Sequence, residues 1–414
     1  MKSYYSILTL LILVVGLSAC QQHKPPSISV APLLDRPEQL HYGNEWETIQ
    51  NAYQRNALIV KKNTEVPGET FLQLATIFIK EARVTGEHGH YYPAALDMTE
   101  QVIQNFDDRD LRFRAMTMKA GVQLSLHEFA DAKETATKAI KLNPYNAQIY
   151  GVLVDAAVEL GNYKEAVALA DKMISIKPDL RSYARISYLR EIHGDLEGAI
   201  DALELAIDAG VPGFEERAWA MQTLGDLYLA YDRPEEARQM YDMILAERED
   251  YPFAIAGLGE VAMATGQDDL AKVKLNQAAA IIPEVGYYFS LAELAKREGD
   301  TERVESLVKD IQVMLADDVE HGHNMNLEFA DLYRELASDL EMAYNYAFTE
   351  YEKRPNNIDV NIAVAEVLVQ QNNLEEARPY IKRASITNST DPVLIQLQKI
   401  LTSQDVSYHK SPQL

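Results

Sequence analysis

The sequence predicts an all-α protein, a right-handed superhelical solenoid of helix-turn-helix units, and three observations carry that reading. Landmark residues recur at a fixed interval: Ala132 and Ala166, Pro144 and Pro178, Gly225 and Gly259, Ala237 and Ala271, and Ala343 and Ala377 are each 34 residues apart. Such a period marks stacked supersecondary units. From about Asn44 onward apolar residues fall at three- and four-residue intervals, broken by Gly, Asn, Asp or Pro every dozen or so residues, with no period-two alternation. Finally, the 414 residues carry 39 Lys and Arg against 63 Asp and Glu, a net charge of −24, with 47% hydrophobic residues and one cysteine. That composition is normal for a packed chain. It argues against a nucleic-acid binder, which needs clustered cations, and leaves no disulfide and no Cys-ligated zinc site.

Residues 1–43 read as an address and a spacer. Lys2, the apolar run from Ile7 to Leu17 and the small residues Ser18-Ala19 before Cys20 follow the plan of a secretory signal, with an apolar run too short to span a bilayer. Leu17-Ser18-Ala19-Cys20 resembles the lipobox of bacterial lipoproteins. The resemblance implies that residues 1–19 are removed, that Cys20 carries a diacylglyceryl thioether as the chain's only attached group, and that its amine is acylated. Two or more acyl chains anchor stably. In Gram-negative relatives of this pattern Gln21, rather than Asp, favours the outer membrane facing the periplasm. Residues 20–43 contain Pro25, Pro26, Pro32 and Pro37 and are expected to form an extended tether of roughly 3.1 Å per residue.

Residues 44–112 should hold a first helix, over Asn44 to Lys62, and an irregular unit over Glu69 to Phe106. Residues 113–392 divide into about eight units, and 393–414 should supply a capping helix and a mobile polar tail from Ser403. Within the units Gly225 and Gly259 lie on the first helix, where absence of a side chain lets the second helix approach. Ala132, Ala166, Ala199, Ala237, Ala271, Ala343 and Ala377 occupy the matching small site on the second. Breaks such as Leu160-Gly161-Asn162-Tyr163 separate the two helices, with glycine suited to a left-handed cap. Pro144, Pro178, Pro283 and Pro355 close the second helix. Over residues 113–392 the text resembles the tetratricopeptide repeat, and its block from Ser182 to Ile200 is similar to uncharacterised envelope lipoproteins with that repeat. The spacing stretches to 38 between Ala199 and Ala237 and to 39 between Val304 and Ala343, which places inserts near 209–213 and 317–324.

A solenoid of this kind offers a concave face built by the first helix of each unit. One column on that face runs through Asp155, Tyr188, Asp226, Glu260, Glu293 and Glu366, interrupted by Leu332; Arg185 lies one helical turn from Tyr188. A second column runs through Arg181, Trp219, Phe253, Gly286 and Met325. Acids beside aromatics suit an extended basic and apolar peptide or a partner helix, although acids on solvated faces are ordinary in so acidic a chain. The Lys and Asn pattern with which some tetratricopeptide domains hold a C-terminal carboxylate is missing from these positions.

Two copies of one tetrapeptide, Glu87-His88-Gly89-His90 and Glu320-His321-Gly322-His323, supply four of the nine histidines. Imidazoles beside Asp317 and Asp318 suit zinc, nickel or copper. The copies fall in turns of different kinds, one inside a helix pair and one between pairs, so they are expected on opposite edges of the solenoid, as polar loops rather than one shared site. No catalytic motif is present. Gly257-Leu258-Gly259 mimics a dinucleotide fingerprint in mid-helix, where repeat packing explains it. The expectation is a non-enzymatic, lipid-anchored scaffold of the cell envelope that binds a protein or peptide partner. The alternatives are a periplasmic metal binder using His88, His90, His321 and His323, or a glycan-capturing outer-membrane lipoprotein, which would need long insertions that the near-continuous phase lacks.

Overall fold

Asp and Asn residues start many of the helices, because their side chains accept from amides that the first turn leaves unpaired. Asp108 accepts from Leu111 N–H, Asn146 from Gln148 N–H and Asn357 from Val360 N–H, at 2.8–2.9 Å, and Asp179 with Ser182 forms a reciprocal capping box. In the computed structural model, which describes residues 28–409, with side chains of the last helix described only as far as Thr402, there are twenty α-helices and no strand among the described residues. Residues 1–27, with the expected signal peptide and Cys20, and residues 410–414 lie outside the described residues.

The helices are α1 (Glu45–Lys62), α2 (Gly68–Thr85), α3 (His88–Asn105), α4 (Arg109–Ser125), α5 (Phe129–Ile140), α6 (Ala147–Glu159), α7 (Tyr163–Ile176), α8 (Leu180–Ile192), α9 (Leu196–Ala209), α10 (Glu215–Ala230) and α11 (Pro234–Glu247). There follow α12 (Pro252–Ala264), α13 (Asp268–Ile281), α14 (Val285–Glu298), α15 (Thr301–Glu320), α16 (Asn326–Asp331), α17 (Leu340–Lys353), α18 (Ile358–Gln370), α19 (Leu374–Ala384) and α20 (Pro392–His409). The region read as irregular, α2 with α3, is a helix hairpin like the others. Helix α16 runs into a π-helical turn at Leu332–Leu336. The insert expected at 317–324 is mostly extra helix, since α15 is 20 residues long. At the C-terminus helix continues to His409, where a mobile tail from Ser403 was expected.

From α4 the units are antiparallel pairs whose contact is made through the small sites. All seven of the phased alanines are fully buried. A Cβ added at Gly225 would stand 2.7 Å from the Tyr241 ring, and one at Gly259 2.9 Å from Leu275, so the missing side chain sets the helix spacing, as in the mid-helix Gly257-Leu258-Gly259 run. Each first helix also packs on the first helix of the next unit, α4 on α6, α6 on α8, α8 on α10 and α10 on α12. These helices therefore form the shorter, inner face of a curved array.

The curvature is tight enough for the solenoid to meet itself. His127 Nδ1 lies 2.9 Å from the Asn324 carbonyl, Ile358 N–H donates to the Tyr163 hydroxyl at 2.8 Å, and Asn357 Nδ2 donates to the Glu159 carbonyl at 3.1 Å, across 197, 195 and 198 residues of sequence. Arg354 adds an ion pair to Glu159 at 2.5 Å. One superhelical turn thus takes about 195 residues, and the corners inside the first turn's pairs stack on the corners between pairs of the second. Gly161 sits against Asn356, Gly194 against Asn388, and Gly86 against Glu284.

The N-terminal segment departs from the expected tether. Val30, Ala31, Leu33 and Leu34 pack on the core of α2 and α3, Leu40 is fully buried, and Leu34 N–H donates to the Tyr91 hydroxyl at 3.0 Å. The anchor is a buried ion pair: Arg36 donates to both oxygens of Glu81, at 2.8 and 2.7 Å, and to the Leu40 carbonyl at 3.2 Å. Prolines at 32 and 37 keep this stretch from becoming helix, and its apolar residues find a groove.

Candidate functional site in the concave interior

The inner face between α6, α8 and α10 holds a cavity of about 510 Å³, with Asp155, Arg185, Tyr188, Glu191, Trp219 and Asp226 in its lining. Four of these six, Asp155, Tyr188, Trp219 and Asp226, are residues that the phase of the repeat singled out, Arg185 is the expected neighbour of Tyr188, and the superhelix brings all five together. Tyr188 and Trp219 are each 38% exposed. Arg185 is committed on all sides: Nε and Nη2 pair with the two oxygens of Asp155 at 2.8 and 2.6 Å, and Nη1 donates to the Arg181 carbonyl at 3.0 Å. Arg181 itself is exposed and lies outside the cavity lining. Asp226 accepts from the Tyr241 hydroxyl at 2.7 Å, and burial pushes its carboxyl above the ordinary range.

Glu191 was missed by the column reading because it is offset from the 34-residue phase. It lies three residues after Tyr188 on α8, on the same face, and that offset was the available signal. Its carboxyl has no hydrogen-bond or ion-pair partner among the described residues. Burial, with Asp359 and Asp391 next in effect, pushes its carboxyl up to about 7.

The rest of the acidic column is less free than a bare stripe. Glu260 accepts from Ser290 Oγ at 2.5 Å and Glu366 pairs with Arg334 at 3.0 Å, while the Glu293 carboxyl has no hydrogen-bond partner among the described residues. Leu332 is fully buried. Phe253 is no open aromatic: it packs on the core with Tyr251, their ring centroids 5.4 Å apart, and lines a small recess with Leu40, Tyr42 and Arg248. There the Arg248 guanidinium sits 3.6 Å over the Tyr42 ring. The N-terminal segment therefore fills the interior beside α12, and leaves the α6–α10 part open. Gly286 is exposed and Met325 is half-buried against the α12–α15 core, so the second column does not form one continuous groove.

The histidine loops are corrected outright. They do not project from opposite edges: winding of the superhelix stacks the α2–α3 corner on the segment after α15. The His88 and His323 rings lie 5.7 Å apart, and Tyr92 completes a triangle with them at 5.1 and 5.8 Å, while Gly89 is in contact with the His321 ring. Burial lowers the His88 pKa and, with His88 next in effect, takes His323 down to about 4. His90 points elsewhere, to the Pro32 carbonyl at 2.8 Å. Among the described residues no group of three or more His, Cys, Asp or Glu is placed to hold a metal ion, and the His88 and His323 rings pack with Tyr92 at the seam.

Four interior carboxyls, Glu159, Glu191, Glu284 and Glu366, are pushed to about 7, burial being the largest cause in each. Their folded pKa lies above the unfolded value, so the folded state binds more protons between roughly pH 4.5 and 7. The stability they contribute is full below that window and lost as pH rises through 7. The two seam histidines act oppositely, below about pH 6.5, and are outnumbered. Carboxylates held low by ion pairs, such as Glu69 beside Arg114 and Glu100 beside Lys119, change only at more acid pH. Thermal unfolding is expected several degrees higher at pH 5.5 than at pH 8; equal or reversed midpoints would contradict this assignment.

The fold and the packed small sites define a helical-repeat scaffold, and comparison with known proteins specifies its type. The tetratricopeptide repeat family model matches residues 123–190, from the end of α4 through α8. A 64-residue stretch is 39% identical to the protein SGT1 homolog of Oryza sativa subsp. japonica and covers 16% of this chain and 16% of that protein. The match thus spans about a sixth of that relative's length. Among solved structures, the human IFIT1 dimer with PPP-AAAA is similar over 82% of this chain and 76% of that one, with a TM-score of 0.51 and 13% identity. The APC/C hetero-tetramer Cut9–Hcn1 is similar over 86% of this chain and 66% of that one, just under two thirds, with a TM-score of 0.47 and 14% identity. The molecule is an all-α solenoid of tetratricopeptide type, an architecture suited to protein–protein interaction.

Proposed function

We propose that this chain is a non-enzymatic scaffold of the bacterial cell envelope, anchored by lipid on Cys20 and holding a protein or peptide partner in its concave interior. The observation that carries the partner half is the open cavity on α6, α8 and α10, where unstacked Tyr188 and Trp219 stand beside carboxylates while the neighbouring interior is filled by the chain's own N-terminal segment. Aromatic faces with acceptors beside them are what a peptide-binding groove needs. No described helix is long and apolar enough to cross a membrane, and the lipobox supplies the anchor in this reading, with the outer membrane facing the periplasm as the location. Because Val30 is already packed on the body and Cys20 is ten residues before it, the lipid holds the scaffold within at most roughly 35 Å of the bilayer. Partners are therefore reached near the membrane surface.

Metabolic labelling with radioactive palmitate and membrane fractionation test the anchor. The wild-type chain should take up label and sediment with outer membranes, and Cys20→Ser should lose the label and appear in the soluble fraction. An unlabelled wild type, or label that survives the substitution, would remove the lipid from the account.

A further inference from the structure

Resting on the concave-face reading, we propose that the α6–α10 cavity receives a basic side chain, arginine or lysine, from an extended segment of the partner, with Glu191 as its acceptor and Tyr188 and Trp219 as its walls. Charge is the first argument. Among the ionisable groups lining the cavity, one cation, Arg185, faces three carboxylates, and it is spent on Asp155 through two parallel bonds. Asp226 has one oxygen occupied by the Tyr241 hydroxyl. Glu191 has nothing, and its charged neighbours Asp359 and Asp391 are acids too. A carboxylate held away from bulk water without a cation is an unmet demand, which a charge-assisted hydrogen bond from an incoming guanidinium or ammonium would satisfy. An anionic or carboxylate ligand would meet the same acids as repulsion.

The aromatic walls are the second, independent argument. Elsewhere this chain closes its own contacts by laying guanidinium groups over rings: Arg248 over Tyr42 at 3.6 Å, Arg354 over Phe129 at 4.6 Å and Arg233 over Tyr228 at 4.6 Å. Tyr188 and Trp219 have no ring or cation partner among the described residues and are 38% exposed. Cations bind tryptophan and tyrosine faces within about 6 Å. Size is the third: about 510 Å³ is in the range of sites that enclose small ligands, enough for one long side chain with adjoining backbone.

Trp219 makes the test direct, since the sequence has two tryptophans and the other, Trp46, is buried under Arg36. The full chain is titrated with a blocked heptapeptide Gly-Ser-Ala-Arg-Ala-Ser-Gly and with its citrulline counterpart, which keeps the shape and removes the charge, and tryptophan emission is followed. The arginine peptide should change emission in wild type and not in Trp219→Phe, binding at least tenfold tighter than the citrulline peptide. Glu191→Gln, which preserves side-chain size, should abolish that preference with helicity unchanged. Equal binding of the two peptides, no response to the arginine peptide at millimolar concentration, or a tenfold preference that survives Glu191→Gln would each overturn the proposal. Free argininamide binding as tightly as the peptide would assign the cavity to a small organic cation and overturn the partner-segment assignment. If crosslinking from Tyr188 captures a partner whose contacting segment lacks Arg and Lys, this inference falls while the concave-face reading stands.

Discussion

Replacing Gly161 with alanine is expected to destabilise the folded chain by about 3 kcal/mol, against about 1 kcal/mol for the same change at Gly266. Both glycines occupy the corner inside a helix pair with φ of +72°, so both variants carry the cost of placing a Cβ in the left-handed region. They differ in surroundings. Around Gly266 nothing lies within 4 Å of the added atom, whereas at Gly161 it would overlap the backbone carbonyl of Asn356 on the next superhelical turn. A backbone carbonyl cannot rotate aside, so the two turns must separate there. Around that point they are joined by Asn357 to Glu159 and by Ile358 to Tyr163. Urea unfolding of the two variants isolates the seam, because the local backbone cost cancels in the comparison. Equal losses would mean that the turns do not stack in solution.

Breaking the Arg36–Glu81 pair is expected to cost about 3–5 kcal/mol, the range for removing one partner of a buried ion pair. Both side chains are fully shielded from solvent, and their closest approach is 2.7 Å. Arg36→Met leaves Glu81 buried with its main cation gone and releases the Leu40 carbonyl. Hydrogen exchange should then show residues 30–43 losing protection, which would restore the free tether that the prolines alone suggest. The double variant Arg36→Met with Glu81→Leu should recover most of the loss, since an apolar pair of similar volume removes the unpaired charge. A single variant as stable as wild type would contradict the docking of this segment.

What was legible in the sequence was whatever repeats locally. The phased alanines, the helix-facing glycines 225 and 259 and the capping Asp and Asn residues follow from contacts within a unit or between neighbours, and a 34-residue period displays those contacts directly. The lining of the cavity was mostly legible for the same reason: Asp155, Tyr188 and Asp226 share a phase, and Trp219 a second. The seam was not. Its contacts join residues about 195 apart, and their distance depends on how much each unit rotates against the next, a sum of small angles that no single residue announces. That sum also decides that His88 and His323 meet, and that Phe253 is covered by the Leu40–Tyr42 segment. Glu191 lay one turn off the column, and it became notable only once the structure showed every other charged group of the lining to be partnered.

The concave interior at α6–α10 is proposed to hold a partner protein at the envelope. In-cell photo-crosslinking from a probe amino acid at Tyr188, followed by mass spectrometry, tests it most directly, with a probe at the exposed convex residue Val273 as the control. The account predicts one envelope protein trapped from position 188 and not from 273. Crosslinks from Tyr188 only within the chain itself, or the same set of proteins from both positions, would contradict it.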